Sequence, residues 1–293
     1  MTMEPLESLA FSLYERLKHC DLCPRLCGVN RLRGERGFCR GGILPGVASF
    51  HPHFGEEPLL SGKRGSGTIF FTGCNMHCVY CQNYTISQYD QGKEVSIEEL
   101  ARFMLLLQEE GCHNLNLVTP THFLPQILLA LVAARKEGLH LPLVYNTGGY
   151  ERPEIIRLLK GVVDIYLPDM RYSKDESGVR YSQAPFYPSF NREAIREMFS
   201  QVGVVVCDGE GVALKGVMVR VLLLPSLVDE AMENLRFLAE EISLEVSVTL
   251  MKQYWPAYRA FEFPELQGKI DEATYGKVLR YGLELGLRNF ILQ

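Results

Sequence analysis

Gly67-Thr68-Ile69-Phe70-Phe71-Thr72-Gly73-Cys74-Asn75-Met76-His77-Cys78-Val79-Tyr80-Cys81 is the stretch on which the reading of this chain turns. Residues 68–71 form a short apolar run rich in β-branched and aromatic side chains and bounded by glycines, the pattern of a buried strand. Three thiols follow within eight residues. In α/β folds chemistry collects beyond the C-terminal ends of the strands, so the thiols fall where a reactive site is expected.

Downstream the same rhythm repeats. Ser96 with Glu99 three residues on has the form of a capping box, and Gly111 closes the helix that it opens. Strands are expected at 114–118, 143–145, 163–167, 217–224 and 246–251. Helices are expected near 123–137, 153–160, from 191, at 229–242 and at 271–286. Residues 171–189, polar and holding prolines, read as a long loop. Strand and helix alternate six times from residue 67, which means parallel strands with helical crossovers. An open doubly wound sheet and a complete or partial barrel both fit this periodicity.

Upstream the pattern differs. Leu6, Leu9, Leu13 and Leu17 stand at helical spacing, so 5–18 reads as a short amphipathic helix. Residues 20–42 carry Cys20, Cys23, Cys27 and Cys39 among Gly and Arg, with little periodicity. Such a segment lacks the apolar residues for a core of its own. Residues 43–66, rich in Gly and Pro, read as a connector.

The chain has 293 residues, 47% hydrophobic and 22% charged, and a formal net charge of -5. That balance excludes a disordered or collagen-like chain and gives no basic surface for nucleic acid or an anionic membrane. Residues 1–18 mix charges with apolar positions, unlike a signal peptide, and no apolar run approaches bilayer length. A soluble cytoplasmic protein is expected. Nine cysteines, an odd number, seven of them in two tight groups and Cys112 and Cys207 alone, speak for metal binding rather than a disulfide framework.

Three thiolates in one loop leave one position of a metal centre open, as in a reactive site. Zinc with His77 as fourth ligand and a 4Fe–4S cluster with one iron free of cysteine both satisfy the spacing. Four cysteines at Cys20-x2-Cys23-x3-Cys27-x11-Cys39 close a site, either structural zinc or an auxiliary iron–sulfur cluster. Arg25, Arg31, Arg33, Arg36 and Arg40 offset the charge of either.

The C-x3-C-x2-C pattern with an aromatic before the last cysteine resembles the signature of the radical S-adenosylmethionine (SAM) superfamily. Residues 73–83 are similar to the activating enzymes of pyruvate formate-lyase and their short, uncharacterised relatives. The resemblance covers about residues 67–255 and implies an α/β fold, a partial (β/α)6 TIM-type barrel, with a small N-terminal Cys-rich module. The domains implied are 1–66, with the four-Cys metal module and connector; 67–255, the radical SAM core; and 256–293, a C-terminal helical extension.

The resemblance also implies a function: reductive cleavage of SAM at the cluster to a 5′-deoxyadenosyl radical that abstracts hydrogen. A glycyl-radical activase acting on a partner protein is the reading nearest the family. A small-molecule mutase or lyase, and a non-enzymatic zinc or iron–sulfur protein, are the alternatives. A reductant such as flavodoxin or ferredoxin is the implied partner.

Residue by residue, the resemblance assigns Cys74, Cys78 and Cys81 to the cluster and Tyr80 to the adenine. Thr119 and Thr121, with His122 beside them, replace the family's Gly-Gly-Glu turn. Asn146 and Thr147 stand in an Asp-Thr-Asn-Gly-like turn. Asp169 and Arg171 replace Asp-x-Lys. Arg220, a charge inside an apolar strand, is assigned to SAM, with an ion pair to Asp169 or Asp164 as the structural alternative. Gln253 and Tyr254 fall where the family places a histidine near the ribose.

Overall fold

The computed structural model describes residues 2–292. Its strands are β1 Gly46–His53, β2 Ser66–Phe71, β3 Lys93–Glu94, β4 Leu115–Val118, β5 Leu143–Thr147, β6 Ile165–Pro168, β7 Val206–Cys207, β8 Ala213–Leu222, β9 Ser247–Met251 and β10 Asn289–Leu292. Its α-helices are α1 Met3–Glu15, α2 Pro58–Ser61, α3 Tyr84–Ser87, α4 Ile97–Glu109, α5 Leu124–Lys136, α6 Pro153–Leu158, α7 Asp175–Ser182, α8 Tyr187–Val202, α9 Val228–Phe237 and α10 Glu272–Glu284.

The sheet runs β10-β9-β8-β6-β5-β4-β2-β1-β3, with β7 paired to β8. From β2 to β10 the neighbours are parallel, while β1 and β3 are antiparallel additions. The six expected strands are β2, β4, β5, β6, β8 and β9. The path ends at β3 and β10 without closing, so the barrel is partial. The main core lies outside the sheet, where α4, α5, α6, α8 and α9 cover the outward residues of the strands. A small cluster of Leu60, Val144, Ile165, Leu167 and Met218 fills the interior. Ser96 caps α4 as its spacing predicts: its hydroxyl accepts from Glu99 N at 3.1 Å, and Glu99 accepts from Ser96 N at 2.8 Å.

Three segments depart from expectation. The expected connector 43–66 contains β1 and α2. Its Pro52 is tolerated because β3 reaches only Gly46 and Val47, leaving the rest of that side of β1 as an edge. Phe50 stacks on Phe103 of α4 at 4.0 Å, which pins the strand. The expected loop 171–189 contains α7. The turn that leads into it is held from afar, by Glu230 accepting from Ser173 N at 2.9 Å and Lys174 N at 3.1 Å. The C-terminal segment, expected as helical, ends in β10, which adds a parallel strand beside β9. Among the described residues no helix is long and apolar enough to cross a membrane.

Candidate functional site

The loop after β2 is fastened on three sides. Gly73 has φ +73°, and a Cβ there would stand 2.3 Å from Cys39 O, so only glycine fits between the two cysteine segments. His77 N donates to Ser182 O at 3.0 Å and Val79 N to Tyr181 O at 2.8 Å, while Arg259 N donates to Val79 O at 2.8 Å. The loop therefore rests on α7 and on the segment after β9.

Each of its three sulfurs meets a polar group. Met76 N donates to Cys74 Sγ at 3.3 Å, Ser182 Oγ to Cys78 Sγ at 3.0 Å, and Ser87 Oγ lies 3.2 Å from Cys81 Sγ. Burial pushes the Cys74 and Cys81 thiols up, and the neighbouring Cys78 adds repulsion; Arg171 works the other way. Thiols so placed need a bound cation to hold them as thiolates. Among the described residues no three His, Cys, Asp or Glu side chains converge on a single ion. His77 stacks on Phe38 at 3.9 Å, and burial drives its imidazole down to about 4. The imidazole of His77 is thus neutral and engaged by a ring of the N-terminal segment. Three sulfurs with hydrogen-bond donors fit a larger, multi-iron group.

Polar residues from four strand ends meet beside this loop. Arg220 of β8 donates from Nε to Asp169 Oδ1 at 2.8 Å and from Nη2 to Asn146 Oδ1. Its Nη1 lies 3.6 Å from Glu56 Oε2. Arg171 pairs with the other oxygen of Asp169, and its Nη1 lies 3.5 Å from the Tyr80 hydroxyl. The buried Tyr80 hydroxyl is 2.5 Å from that of Tyr172, which reaches Ser182 Oγ at 2.7 Å. Tyr80, Arg171 and Asp169 are so linked, through Ser182, to the Cys78 sulfur. Asp164, the other acid weighed for Arg220, instead accepts from Leu143 N at 2.8 Å, at the start of β5.

The threonines stand at their strand ends, and two of them share one buried carboxylate. Thr121 Oγ1 donates to Glu151 at 2.5 Å, and Thr147 Oγ1 donates to the same carboxylate oxygen. Both hydroxyls are therefore engaged inside the protein. Thr119 has φ +59° and donates its N–H to Asn146 O at 2.8 Å. His122 is buried, bound through Nε2 to Thr72 O at 2.7 Å, and driven down to about 4 by burial, so it stays neutral. Tyr254 donates to Leu266 O at 2.7 Å.

Three acids were not legible as site residues. Glu56 is held up at about 7, by burial against the pull of Arg220. Glu57 is 1% exposed, and neither carboxylate oxygen has a hydrogen-bond partner among the described residues. Glu151 is fully buried, and burial raises its carboxyl to about 7. Glu56 and Glu57 lie in the expected connector, where only the doublet of acids beside Pro58 gave a signal.

In the N-terminal loop Cys20, Cys23 and Cys39 are buried and Cys27 is exposed. Burial pushes the three buried thiols up, with Arg31 opposing at Cys20 and Cys39.

Residues 68–201 match the radical SAM superfamily. Over 283 residues the chain is 33% identical to the uncharacterized protein MJ0674 of Methanocaldococcus jannaschii, covering 92% of this chain and 76% of that one. The chain belongs to the radical SAM superfamily. A shorter stretch of 115 residues is 32% identical to the pyruvate formate-lyase 1-activating enzyme of Escherichia coli, 36% of this chain and 46% of that enzyme. Among solved structures it is similar to SuiB of Streptococcus suis bound to S-adenosylmethionine, with a TM-score of 0.51 and 12% identity, over 75% of this chain and 48% of SuiB. That likeness speaks to the fold. The chain spans about half the length of SuiB and of the activating enzyme. The radical SAM family implies a 4Fe–4S cluster and SAM, and the donor set of Cys74, Cys78 and Cys81 fits that cluster.

Proposed function

We propose that this protein cleaves SAM reductively at a cluster held by Cys74, Cys78 and Cys81 and uses the resulting radical to abstract hydrogen from a substrate. The observation that carries this is three sulfurs in one strand-end loop, each met by a polar hydrogen-bonding group. When bound, the reduced cluster supplies one electron that splits the sulfonium into methionine and a 5′-deoxyadenosyl radical.

The chain's own residues bind and orient. Glu56 and Asp169 face Arg171 and Arg220, two acids against two bases, and Glu57 adds a further carboxylate. Glu57, whose carboxylate has no hydrogen-bond partner among the described residues, complements SAM, which carries sulfonium and ammonium against one carboxylate. Arg220 is satisfied within the protein, so its role is to hold Asp169 and Asn146 toward SAM rather than to grip the SAM carboxylate itself. Tyr80, buried beside Arg171, walls the site near the adenine. Thr119, Thr121 and Thr147 contribute through backbone groups.

In this reading residues 67–255 are the catalytic core and 256–293 an extension. Residues 1–66 form a module tethered by β1, whose four cysteines hold a second metal centre, zinc or an auxiliary cluster. A flavodoxin- or ferredoxin-like protein supplies the electron. The substrate is a glycyl-radical protein, as the similarity to the activating enzyme suggests. Anaerobically purified protein, reduced in the presence of SAM, is expected to release 5′-deoxyadenosine. Iron-loaded protein that binds SAM but releases none under strong reduction would overturn the reading.

A further inference from the structure

Arg25 belongs to the N-terminal four-cysteine loop but reaches into the three-cysteine loop fifty residues away. Its Nε donates to Asn75 O at 2.9 Å, one residue from Cys74. Its Cζ lies 3.6 Å from the centre of the Phe38 ring and 5.2 Å from that of Tyr150. Phe38 in turn stacks on His77, inside the three-cysteine loop. The guanidinium thus lies between Phe38 of its own loop and Tyr150 beyond β5, with its direction fixed by one hydrogen bond to the three-cysteine loop.

Its Nη2 is buried and has no hydrogen-bond partner among the described residues. Burial pulls its pKa down, and the groups that favour its charged form against that pull are Tyr150 and the thiols of Cys23, Cys74 and Cys78. A half-buried guanidinium with an idle N–H is costly unless an anion faces it. Its Nε bond to Asn75 O, next to Cys74, sets the guanidinium beside the three-cysteine loop, whose thiolate-bound group is an anion for it alongside Cys23 of its own loop. That group gains one negative charge on reduction, so a fixed positive charge favours its reduced form. Net charge and hydrogen bonds to sulfur are among the levers that set such potentials.

We propose that Arg25 is a positioning residue of the three-cysteine site, lending the cluster on Cys74, Cys78 and Cys81 a fixed positive charge and a free N–H that raise its reduction potential. The inference rests on the cluster reading above and gives the N-terminal loop a part in the chemistry of the core.

The test is a redox titration of the holoprotein, with reduced cluster followed by electron paramagnetic resonance. In Arg25→Met the ratio of reduced to oxidised cluster at a fixed potential is expected to fall about tenfold, a drop of about 59 mV for one electron. Arg25→Lys keeps the charge and is expected to stay within about threefold of the parent. Arg33→Met removes an exposed charge of the same loop and is expected to change nothing.

An Arg25→Met protein with full iron and an unchanged midpoint overturns the proposal. So does an Arg25→Lys protein that falls as far as Arg25→Met, or an equal fall in Arg33→Met. Should Arg25→Met lose iron, Arg25→Gln, which retains an N–H for Asn75 O, carries the same comparison. A parent protein that never binds iron at Cys74, Cys78 and Cys81 sinks the cluster reading itself. That result is separate from a bound cluster whose midpoint ignores Arg25.

Discussion

Cys74, Cys78 and Cys81 hang from the end of a buried parallel strand, whereas Cys20, Cys23, Cys27 and Cys39 lie in a segment with no strand or α-helix of its own. The first loop is held by backbone hydrogen bonds to α7 and to the chain after β9. The second is held by single side chains: Arg31 donates to His122 O at 2.6 Å, Arg40 to Ser87 O at 3.2 Å, and Asp21 O accepts from Arg152 at 2.6 Å. The two segments touch where Cys39 O meets Gly73. A site hung on a sheet inherits the rigidity of the sheet. A site held by side chains depends on each of them, and on whatever its thiols bind.

The largest expected effect separates the two sets directly. Replacing Cys74, Cys78 or Cys81 singly by Ala is expected to abolish release of 5′-deoxyadenosine while the fold survives, because the strand does not need the thiol. The triple variant is expected to retain zinc or iron in the N-terminal loop. Metal analysis decides this, and a folded but metal-free triple variant would remove the second site from the comparison.

Next in size is the Asp169–Arg220 pair, which belongs to the strand-held site. Removing one partner of a buried pair costs about 3–5 kcal/mol, because the other charge is left behind. Arg220→Met is expected to lower stability in urea on that scale and to weaken SAM binding at least about tenfold through the released Asp169. Asp169→Asn is expected to do the same, and the double variant to lose no more than either single. Intact SAM affinity in a destabilised Arg220→Met protein would reduce the pair to a structural one.

What could be seen beforehand follows the same division. The parallel strands and the thiol loop were legible because alternation of apolar runs and cysteine spacing are local patterns. The capping box at Ser96 was legible for the same reason. β1 was hidden because Pro52 and its glycines look like punctuation, and only its pairing to β2 makes it a strand. α7 was hidden because it has no local cap and the turn before it is held by Glu230, more than fifty residues on. Thr121 and Thr147 stood at the right strand ends, yet Glu151 takes both hydroxyls, a contact that no spacing announces.

Glu151 offers a smaller test, since it buttresses β4 and β5 next to Arg152, which grips the N-terminal loop. Its carboxyl stands at about 7 in the folded protein, above its unfolded value, so the fold binds the proton more tightly than the unfolded chain does. Its contribution is therefore full below about 4.5 and is lost as pH rises through 7. Glu56, also at about 7, has the same sign, while His77 and His122, at about 4, have the opposite sign between about 4 and 6.5. The comparison must thus be a difference. Glu151→Gln keeps an acceptor for the threonines and removes the titration. Relative to the parent, it is expected to gain about 2–3 kcal/mol between pH 5 and pH 8 in urea unfolding. Parallel curves across that range would mean that Glu151 is ionised throughout.

The smallest effect concerns Phe38, which joins the two regions through ring contacts. It stacks on His77 and lies under Arg25. Such a stack adds about 0.5–1.5 kcal/mol, and a partly exposed cation–π contact about 0.5–1. Phe38→Leu keeps apolar bulk and loses both. The global unfolding midpoint is expected to move little, because the sheet and its outer helices carry the core. Amide exchange in residues 20–42 is expected to speed up several-fold, while β2 and β4 keep their protection. This pattern would show that the four-cysteine loop opens as a unit, hinged on single side chains. Equal protection loss in β2 would mean that the two regions open together and that the division drawn between them is wrong. No change in either would mean that the loop is held through its thiols and Phe38 adds nothing, which places its rigidity there rather than in the side chains around them.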